Sequence, residues 1–230
     1  MHLLILGKLG INSDIFAYQF ENAFIREFQL FYNRSSKKFT KRLKHKLKKN
    51  QNNFEKFHSQ LDLPFLETED GFLKEIFKTL ELKFGLKYGS NQKLIDLGAG
   101  NGSIVIFAFL NYSIKAFGIE INRNLKNEAK NRIKSLKKEE NYKKRQFKEI
   151  KIKLGDFFLH NLKEYDYIYI YSLPSMHKYL RHVFRTAKKE AIIISHRHKL
   201  ENFSSILKDE YILVHKIDNQ ECFTFFYKKI

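Results

Sequence analysis

The stretch "KLIDLGAGNGSIVIFAF", residues 93–109, consists of an apolar run, three glycines at alternate positions and a second apolar run. These glycines are Gly98, Gly100 and Gly102, in a chain of 230 residues that has only 10 glycines. Glycine allows the backbone to turn sharply and a ligand to approach it closely. The pattern predicts a strand, a ligand-binding turn and a helix from about Ser103, whose free amides and positive dipole end face the ligand.

The spacing of the glycines distinguishes two kinds of nucleotide ligand. The dinucleotide fingerprint reads GxGxxG, whereas here Gly102 comes one position early and Ser103 takes the sixth position. Asp96 lies two residues before Gly98, where a carboxylate can accept hydrogen bonds from a ligand amine through ordered water. This arrangement favours S-adenosylmethionine, which carries an ammonium group, over NAD.

Two further acids follow predicted strands. "KAFGIEIN" predicts a strand that ends at Glu120, 18 residues after Gly102, where a carboxylate can hold both ribose hydroxyls of an adenosine. "KIKLGDFF" places Asp156 just after a third strand, where it can accept a hydrogen bond from the adenine amino group. Glu120 or Asp156 alone is also compatible with a solvated loop. Together with Asp96 they predict one nucleotide site.

The alternation of apolar runs with helical or polar segments predicts an α/β fold with a doubly wound, mostly parallel, Rossmann-like sheet. A helix is expected from about Glu69 to Leu82, with Thr68 as its cap. The last two runs, "YILVHKI" and "ECFTFFYKK", are separated only by "DNQ", which is too short for a parallel crossover and predicts an antiparallel hairpin. The other predicted strands are Lys93–Leu97, Ala116–Ile119, Ile150–Leu154, Tyr167–Tyr171 and Ala191–Ser195.

The N-terminal part of the chain differs in composition, and we expect a helical, basic extension over residues 1–60 before a main domain over residues 61–230. Residues 14–32 carry five phenylalanines at steps of four and three, the spacing of one helix face. Residues 33–50 are strongly basic and contain no acidic residue. They predict a basic amphipathic helix that contacts RNA, anionic lipid or an acidic protein, with a solvated linker as the alternative.

The composition indicates which partners and which cellular environment to expect for the protein. A net charge of +18 is typical of partners such as nucleic acid, anionic membranes or acidic proteins, although many of the lysines can simply solvate the surface. The single cysteine, Cys222, excludes an intrachain disulfide framework and a paired-cysteine zinc site. We therefore expect a reducing, cytoplasmic setting, no transmembrane segment and no metal site, since His177 and His182 are too far apart in sequence to align on one helix face.

The motifs "LIDLGAGNGS", "FGIEIN" and "LGDF", together with the closing hairpin, resemble those of the class I, seven-stranded S-adenosylmethionine-dependent methyltransferases over about residues 62–230. The resemblance implies that S-adenosylmethionine is the cofactor and that residues 61–230 are the methyltransferase domain. The residues that it assigns to cofactor binding are Thr68, Asp96, Gly98, Gly100, Gly102, Glu120 and Asp156.

The segment after the fourth strand, "YDYIYIYSLPSMHKYL", is where such enzymes meet the methyl acceptor. Amide- and adenine-methylating members have Asn or Asp, Pro, Pro and an aromatic residue there, and residues 172–175 match only at Pro174. A small family of archaeal and mitochondrial protein-lysine methyltransferases is more similar, with matches at Pro174 and Met176, at Thr68 before the first helix and at Arg197 after the fifth strand.

The resemblance to the lysine enzymes implies a catalytic role for four residues. The backbone carbonyls around Ser172 and Leu173 would orient the amine, and Tyr171 or Phe65 would form a wall of an apolar channel. Pro174 fixes its own backbone dihedral angle and restricts Leu173, which would hold those carbonyls in place. For Tyr171, an ordinary role as a core or interface aromatic is an equal alternative.

Three functions are consistent with the sequence. The favoured one is methylation of lysine side chains of a protein partner, with the basic arm docking an acidic protein or making peripheral contact with a membrane. The alternative is an RNA methyltransferase, acting on rRNA or tRNA, whose arm at residues 33–50 holds phosphates. A catalytically silent S-adenosylmethionine-binding protein is the third.

The basic run yields a first testable prediction. If residues 33–50 bind polyanions, deletion of residues 1–60 will weaken binding to RNA and reduce its dependence on salt, because fewer counterions are released. Salt titrations of RNA binding by the full chain and by the truncated chain measure this. Coincident titrations would identify the basic run as a solvated tail.

Overall fold

The computed structural model describes residues 67–139, 142, 147–217 and 220–230. The predicted extension at residues 1–60, its basic run at 33–50 and the domain boundary near residue 60 lie outside the described residues.

The described residues contain a seven-stranded sheet with the strand order β3-β2-β1-β4-β5-β7-β6. Strands β1 to β5 run parallel to one another, whereas β7 runs antiparallel to both β5 and β6. This confirms the predicted fold class and the C-terminal hairpin. The strands are β1 (Lys93–Leu97), β2 (Lys115–Glu120), β3 (Ile150–Leu154), β4 (Tyr167–Ile170), β5 (Ile192–His196), β6 (Leu207–Ile217) and β7 (Gln220–Lys229).

Helices cover both faces of the sheet. They are α1 (Asp70–Phe84), α2 (Ser103–Tyr112), α3 (Arg123–Leu136) and α4 (Pro174–Phe184), with short 3-10 turns at Phe147–Glu149 and Phe157–Leu159. One hydrophobic core joins α1, α2 and one sheet face, and includes Ile76, Leu94 and Ile194. The second core joins α4 to the opposite face, and includes Leu180 and Ile168. The period of two along each strand explains why neighbouring residues belong to different cores.

The start of α1 differs from the sequence prediction. Glu69 is the N-cap residue and makes no side-chain capping bond, so the prediction that Thr68 caps this helix is wrong. The Thr68 hydroxyl instead shares a 2.9 Å hydrogen bond with the Tyr169 hydroxyl on β4. Thr68 is buried, and a buried hydroxyl needs a partner that the helix terminus does not supply here.

The parallel register positions the site. Asp96 on β1 lies opposite Gly118 on β2 and Tyr169 on β4. Gly118 is closely packed, because a Cβ atom there would lie 2.6 Å from the Ala99 Cβ and 3.1 Å from the Val105 Cγ2. Because residue 118 has no side chain, the turn after β1 can pack directly against β2.

This packing predicts that Gly118→Ala lowers the free energy of unfolding by about 1–3 kcal/mol, the usual cost of overpacking, since the Ala99 side chain cannot rotate away. Gly71→Ala is a matched control, because a Cβ atom at residue 71 would have no other atom within 4 Å. Alanine at this exposed position in α1 should stabilise the protein by about 0.5–1 kcal/mol. Denaturant unfolding of both variants measures the difference, and equal transition midpoints would contradict the prediction.

Candidate functional site

The turn between β1 and α2 has the conformation that its glycines predict. Gly98, Gly100 and Gly102 have φ angles of 94°, 50° and 85°, in the left-handed region that residues with a Cβ atom rarely adopt. The amides of Gly98 and Ala99 both donate to the Ile119 carbonyl at 2.9 Å. The turn is therefore anchored on the end of β2.

The first and third glycines serve different purposes. A Cβ atom at Gly102 would lie 2.6 Å from the Ile152 Cδ1 and 3.1 Å from the Ala129 Cβ, so this glycine allows the turn to pack against β3 and α3. A Cβ atom at Gly98 would meet only the Phe157 Cε1, at 4.0 Å. The surface at Gly98 is therefore open to a ligand.

Glu120 joins the end of β2 to this turn. Its Oε2 accepts a 2.7 Å hydrogen bond from the Gly100 amide, and its Oε1 accepts a 2.6 Å hydrogen bond from the Asn122 amide. Burial raises the pKa of the Glu120 carboxyl, against the opposing effect of backbone hydrogen bonds from Asn122, Gly100 and Ile121. Glu120 is thus a buried acid that is already oriented by the backbone.

Asp96 is the most deeply buried acid of the site, with 3% of its surface exposed. Burial, and then the negative charge of Glu120, raise the pKa of the Asp96 carboxyl well above its usual value. Within the part of the chain that the structure describes, neither effect is offset by a cation or by a hydrogen bond to this carboxyl. A ligand that brings positive charge or hydrogen-bond donors would stabilise the ionised form.

Asp156 lies after β3 and caps the 3-10 turn at Phe157–Leu159. Its Oδ1 accepts a 2.8 Å hydrogen bond from the Phe158 amide. The preceding residue, Gly155, donates its amide to the Glu120 carbonyl at 2.9 Å. The structure therefore places Asp156 at the same edge of the sheet as Glu120 and Asp96, as the sequence predicts.

A polar cluster that the sequence did not reveal ties the segment before α1 to the glycine turn. Glu67 accepts hydrogen bonds from Asn101 Nδ2, at 2.9 Å, and from the Ser103 hydroxyl. Arg132 on α3 lies 3.5 Å from Glu67 and donates to Ser103 Oγ at 2.9 Å. Hydrogen bonds from Ser103 and then Asn101 lower the pKa of the Glu67 carboxyl. This cluster brings Thr68 to the site.

The segment after β4 forms the other side of the site. Tyr171 is half-buried, and Ser172 is 1% exposed. Pro174 is the first residue of α4 and Leu173 is its N-cap. The Leu173 carbonyl accepts a 2.9 Å hydrogen bond from the Met176 amide, so it takes part in the first turn of α4.

Two polar atoms in this segment are buried without a partner. Among the described residues, Ser172 Oγ and His177 Nε2 are buried and have no hydrogen-bond partner. Burial lowers the pKa of His177, against the effect of a hydrogen bond with the Ser172 backbone. A buried hydroxyl without a partner is costly, so that Ser172 is an unsatisfied polar group next to the end of β4.

Neither a metal centre nor a membrane span is found in the part of the chain that the structure describes. It contains no group of three or more His, Cys, Asp or Glu side chains arranged to hold a metal ion. No helix among the described residues has the length and apolar character needed to cross a membrane.

Comparisons with known proteins bear on the fold of the chain. Residues 96–206 match the family model described as the ANTKMT methyltransferase domain. An RNA methyltransferase from Salinibacter ruber, in complex with S-adenosyl-L-homocysteine, is 20% identical with a TM-score of 0.54, over 72% of this chain and 94% of that chain. Magnesium protoporphyrin IX methyltransferase from Synechocystis PCC 6803, with bound S-adenosylmethionine, is 11% identical with a TM-score of 0.52, over 79% of this chain and 93% of that chain. The comparison with curated proteins finds no match.

The strand order, the terminal hairpin and these solved neighbours define the class. The chain has the Rossmann-like fold of the class I S-adenosylmethionine-dependent methyltransferases, which confirms the resemblance seen in the sequence. The more particular likeness is that of residues 96–206 to the ANTKMT methyltransferase domain. At 11–20% identity, the solved structures establish the fold alone.

The burial of Asp96 predicts a change in stability with pH. Because its pKa is raised in the folded state, Asp96 favours folding below its unfolded pKa of about 3.9, and this contribution is lost as the pH rises toward the folded pKa. Asp96→Asn removes the cost of ionisation. The variant should therefore be more stable than the wild type at pH 7, by a margin that shrinks as the pH falls to about 4.

Denaturant unfolding at both pH values measures this margin. Asp209→Asn is the control, because the Asp209 side chain is 65% exposed, and it should show no comparable gain at pH 7. A margin for Asp96→Asn that is absent at pH 7, or that grows as the pH falls, would contradict the prediction.

Proposed function

We propose that this chain is an S-adenosylmethionine-dependent methyltransferase that transfers methyl groups to lysine side chains of proteins. The observation that carries the proposal is the pair of buried acids, Asp96 and Glu120, beside a glycine turn whose surface is open at Gly98. Burial raises the pKa of both acids. Two buried carboxyl groups that lack an opposing charge among the described residues, next to an exposed backbone turn, are suited to a cationic ligand with hydroxyl donors.

The residues fit S-adenosylmethionine in three places. Asp96 would receive the ammonium group of the methionine end. Glu120, whose oxygens are oriented by the Gly100 and Asn122 amides, would receive the ribose hydroxyls through its remaining lone pairs. Asp156 lies at the next strand end and would receive the adenine amino group, while Thr68 borders the site through its bond to Tyr169.

When bound, this cofactor supplies an electrophilic methyl group on a positively charged sulfur. The contribution of the protein to such an in-line displacement is chiefly alignment of the two reactants. Pro174 and the start of α4 fix the backbone at Leu173, at φ −69° and ψ 150°. Under this proposal the Ser172 hydroxyl, which is buried without a partner among the described residues, gains its partner from the incoming amine.

A lysine must be neutral to react, and the acceptor side favours the neutral form. Burial raises the pKa of the Tyr171 hydroxyl, with Arg197 opposing the shift, so that Tyr171 presents an uncharged wall. A desolvated site beside a positive sulfur lowers the pKa of an amine by burial and by charge repulsion. No strong base is then required.

Two observations support lysine as the acceptor. The matched family model, the ANTKMT methyltransferase domain, agrees with the group of protein-lysine enzymes that the sequence resembles. The segment at residues 172–175, "SLPS", contains no aromatic residue, whereas enzymes that methylate a base stack it on an aromatic side chain.

RNA is the alternative acceptor. It is favoured by the net charge of +18 and by the fold shared with an RNA methyltransferase from Salinibacter ruber. Under this alternative, the basic run at residues 33–50 would hold phosphates and a nucleotide would occupy the acceptor side.

The experiment is incubation of the protein with labelled S-adenosylmethionine and whole-cell extract, followed by separate digestion with protease or ribonuclease. We expect protease to release the label and mass spectrometry to find methylated lysines. Pro174→Gly should slow the transfer by about tenfold, because a misplaced acceptor costs alignment, while calorimetry with S-adenosylhomocysteine shows little change in affinity.

Other outcomes have definite meanings. Label that only ribonuclease releases, with no methyl-lysine in the protein fraction, would replace the lysine proposal by the RNA alternative. Cofactor binding without any labelled product would indicate a silent binding protein. Failure of S-adenosylmethionine to bind at all would overturn the proposal as a whole.

A further inference from the structure

A chain of hydrogen-bonded polar side chains lies under α1, apart from the glycine turn. Glu75 on α1 bonds to Nδ1 of His215 on β6. His215 Nε2 and the Thr224 hydroxyl on β7 are 2.9 Å apart, and the same hydroxyl is 2.8 Å from Nδ1 of His196 on β5. The chain therefore runs from a half-exposed carboxylate to a buried ring at the carboxyl end of β5.

The interior part of this chain is sealed from solvent. His215 and His196 are each 1% exposed and Thr224 is 0% exposed. The Phe72 ring covers both histidines, at centroid distances of 4.7 Å from His215 and 5.5 Å from His196. A buried polar network stabilises a structure only if each of its polar atoms has a hydrogen-bond partner. Each bond of this series must therefore have one defined donor and one defined acceptor.

Glu75 determines the donor and the acceptor of the first bond in that series. An ionised carboxylate can only accept, so Nδ1 of His215 carries the hydrogen. If His215 is neutral, its Nε2 accepts from the Thr224 hydroxyl, which in turn accepts from Nδ1–H of His196. The Nε2 of His196 then accepts from the Cys222 thiol, whose sulfur lies 4.0 Å away.

Protonation of His215 reverses the order. Both nitrogens of His215 then donate, the Thr224 hydroxyl accepts from Nε2–H and donates to Nδ1 of His196. His196 carries its hydrogen on Nε2 instead. In this second state the bond from Thr224 requires an unprotonated Nδ1, so that His196 is uncharged, whereas in the first state a neutral His196 carries its hydrogen on Nδ1.

The surroundings of His196 also favour the neutral ring. Burial, and then the charges of His215, Arg197 and His198, lower the pKa of His196 to about 3. The other titratable groups facing the ring are Tyr169 and Tyr171 from β4 and its end, and Cys222 from β7.

The chain ends at the acceptor side of the site. The His196 ring meets the Tyr171 ring edge to face, with centroids 5.3 Å apart and an interplanar angle of 86°. The Arg197 guanidinium lies on the same tyrosine, 5.9 Å from the ring centroid. The orientation of Tyr171 thus depends on a ring whose own orientation is determined by Thr224.

We propose that Glu75, His215, Thr224 and His196 are positioning residues: their ordered chain holds His196 as an uncharged ring of fixed orientation, and this ring holds Tyr171 as the wall of the acceptor side. The assignment of Tyr171 to the acceptor side rests on the proposed function. The consequence is that an acceptor meets a rigid, neutral wall beside a positively charged cofactor, in place of an imidazolium that would repel it.

The test compares Thr224→Val with Thr224→Ser. Valine has the shape of threonine without the hydroxyl, whereas serine keeps the hydroxyl. Only valine therefore interrupts the series of hydrogen bonds. The measurements use the intact protein with S-adenosylhomocysteine bound. Nitrogen NMR of the histidine rings reports which nitrogen carries the hydrogen, and the Tyr171 ring signals report the orientation of the Tyr171 ring.

At a pH where His215 is in one protonation state, the wild type and Thr224→Ser should show a neutral His196 with one ordered tautomer and a single set of Tyr171 ring signals. Thr224→Val should show a mixture of tautomers and shifted or averaged Tyr171 signals. It should also slow the labelling of cell-extract protein by about fivefold, which corresponds to the loss of about 1 kcal/mol from one hydrogen bond, with unchanged affinity for S-adenosylhomocysteine.

Glu75→Gln provides a second variant that does not disturb the core, since the Glu75 side chain is 55% exposed. A glutamine can donate as well as accept, so the order of the hydrogens should be lost at His196 without loss of folding. Unchanged histidine and Tyr171 signals in both Thr224→Val and Glu75→Gln would overturn the proposal. These signals require no methyl acceptor. They can therefore show that the proposed series of hydrogen bonds is wrong even if the proposed function is right, and the reverse.

Discussion

The hydrogen bond from the Gly100 amide to the Glu120 carboxylate, 2.7 Å long, couples the glycine turn to the end of β2. It can form only because the turn takes left-handed backbone angles and because Gly118 lets Ala99 lie directly on β2. The same coupling buries Glu120 close enough to Asp96 for its charge to raise the pKa of that carboxyl. The packing that gives the turn its shape therefore also raises the pKa of the Asp96 carboxyl.

Two buried acids without an opposing charge among the described residues reduce the stability of the free protein. Such a cost is typical of a site that is completed by its ligand, because binding then supplies the missing charge or donors. The cluster of Glu67, Asn101 and Ser103 acts in the same region, since it ties the segment before α1 to the turn. The proposed nucleotide side of the site is therefore held by backbone and side chains from β1, β2 and the segment before α1.

The proposed acceptor side depends on the C-terminal hairpin. Because β7 runs antiparallel to β5, Thr224 lies opposite His196 in the register, and β6 brings His215 to the same hydroxyl. The period of two along a strand places these side chains on the face that α1 covers, where Phe72 and Glu75 meet them. The hairpin that closes the sheet thus also supplies a polar chain that reaches Tyr171.

The sequence by itself determined the fold class, the positions of the strands along the chain, the terminal hairpin, the glycine turn and the order of Asp96, Glu120 and Asp156, because these follow from local spacing and hydrophobic period. It did not determine the partner of Thr68, which bonds to Tyr169 instead of capping α1. Nor did it indicate the Glu67 cluster or the chain from Glu75 to His196, whose members are separated by up to 140 residues. Those contacts depend on which strands become neighbours, and only the tertiary structure decides that.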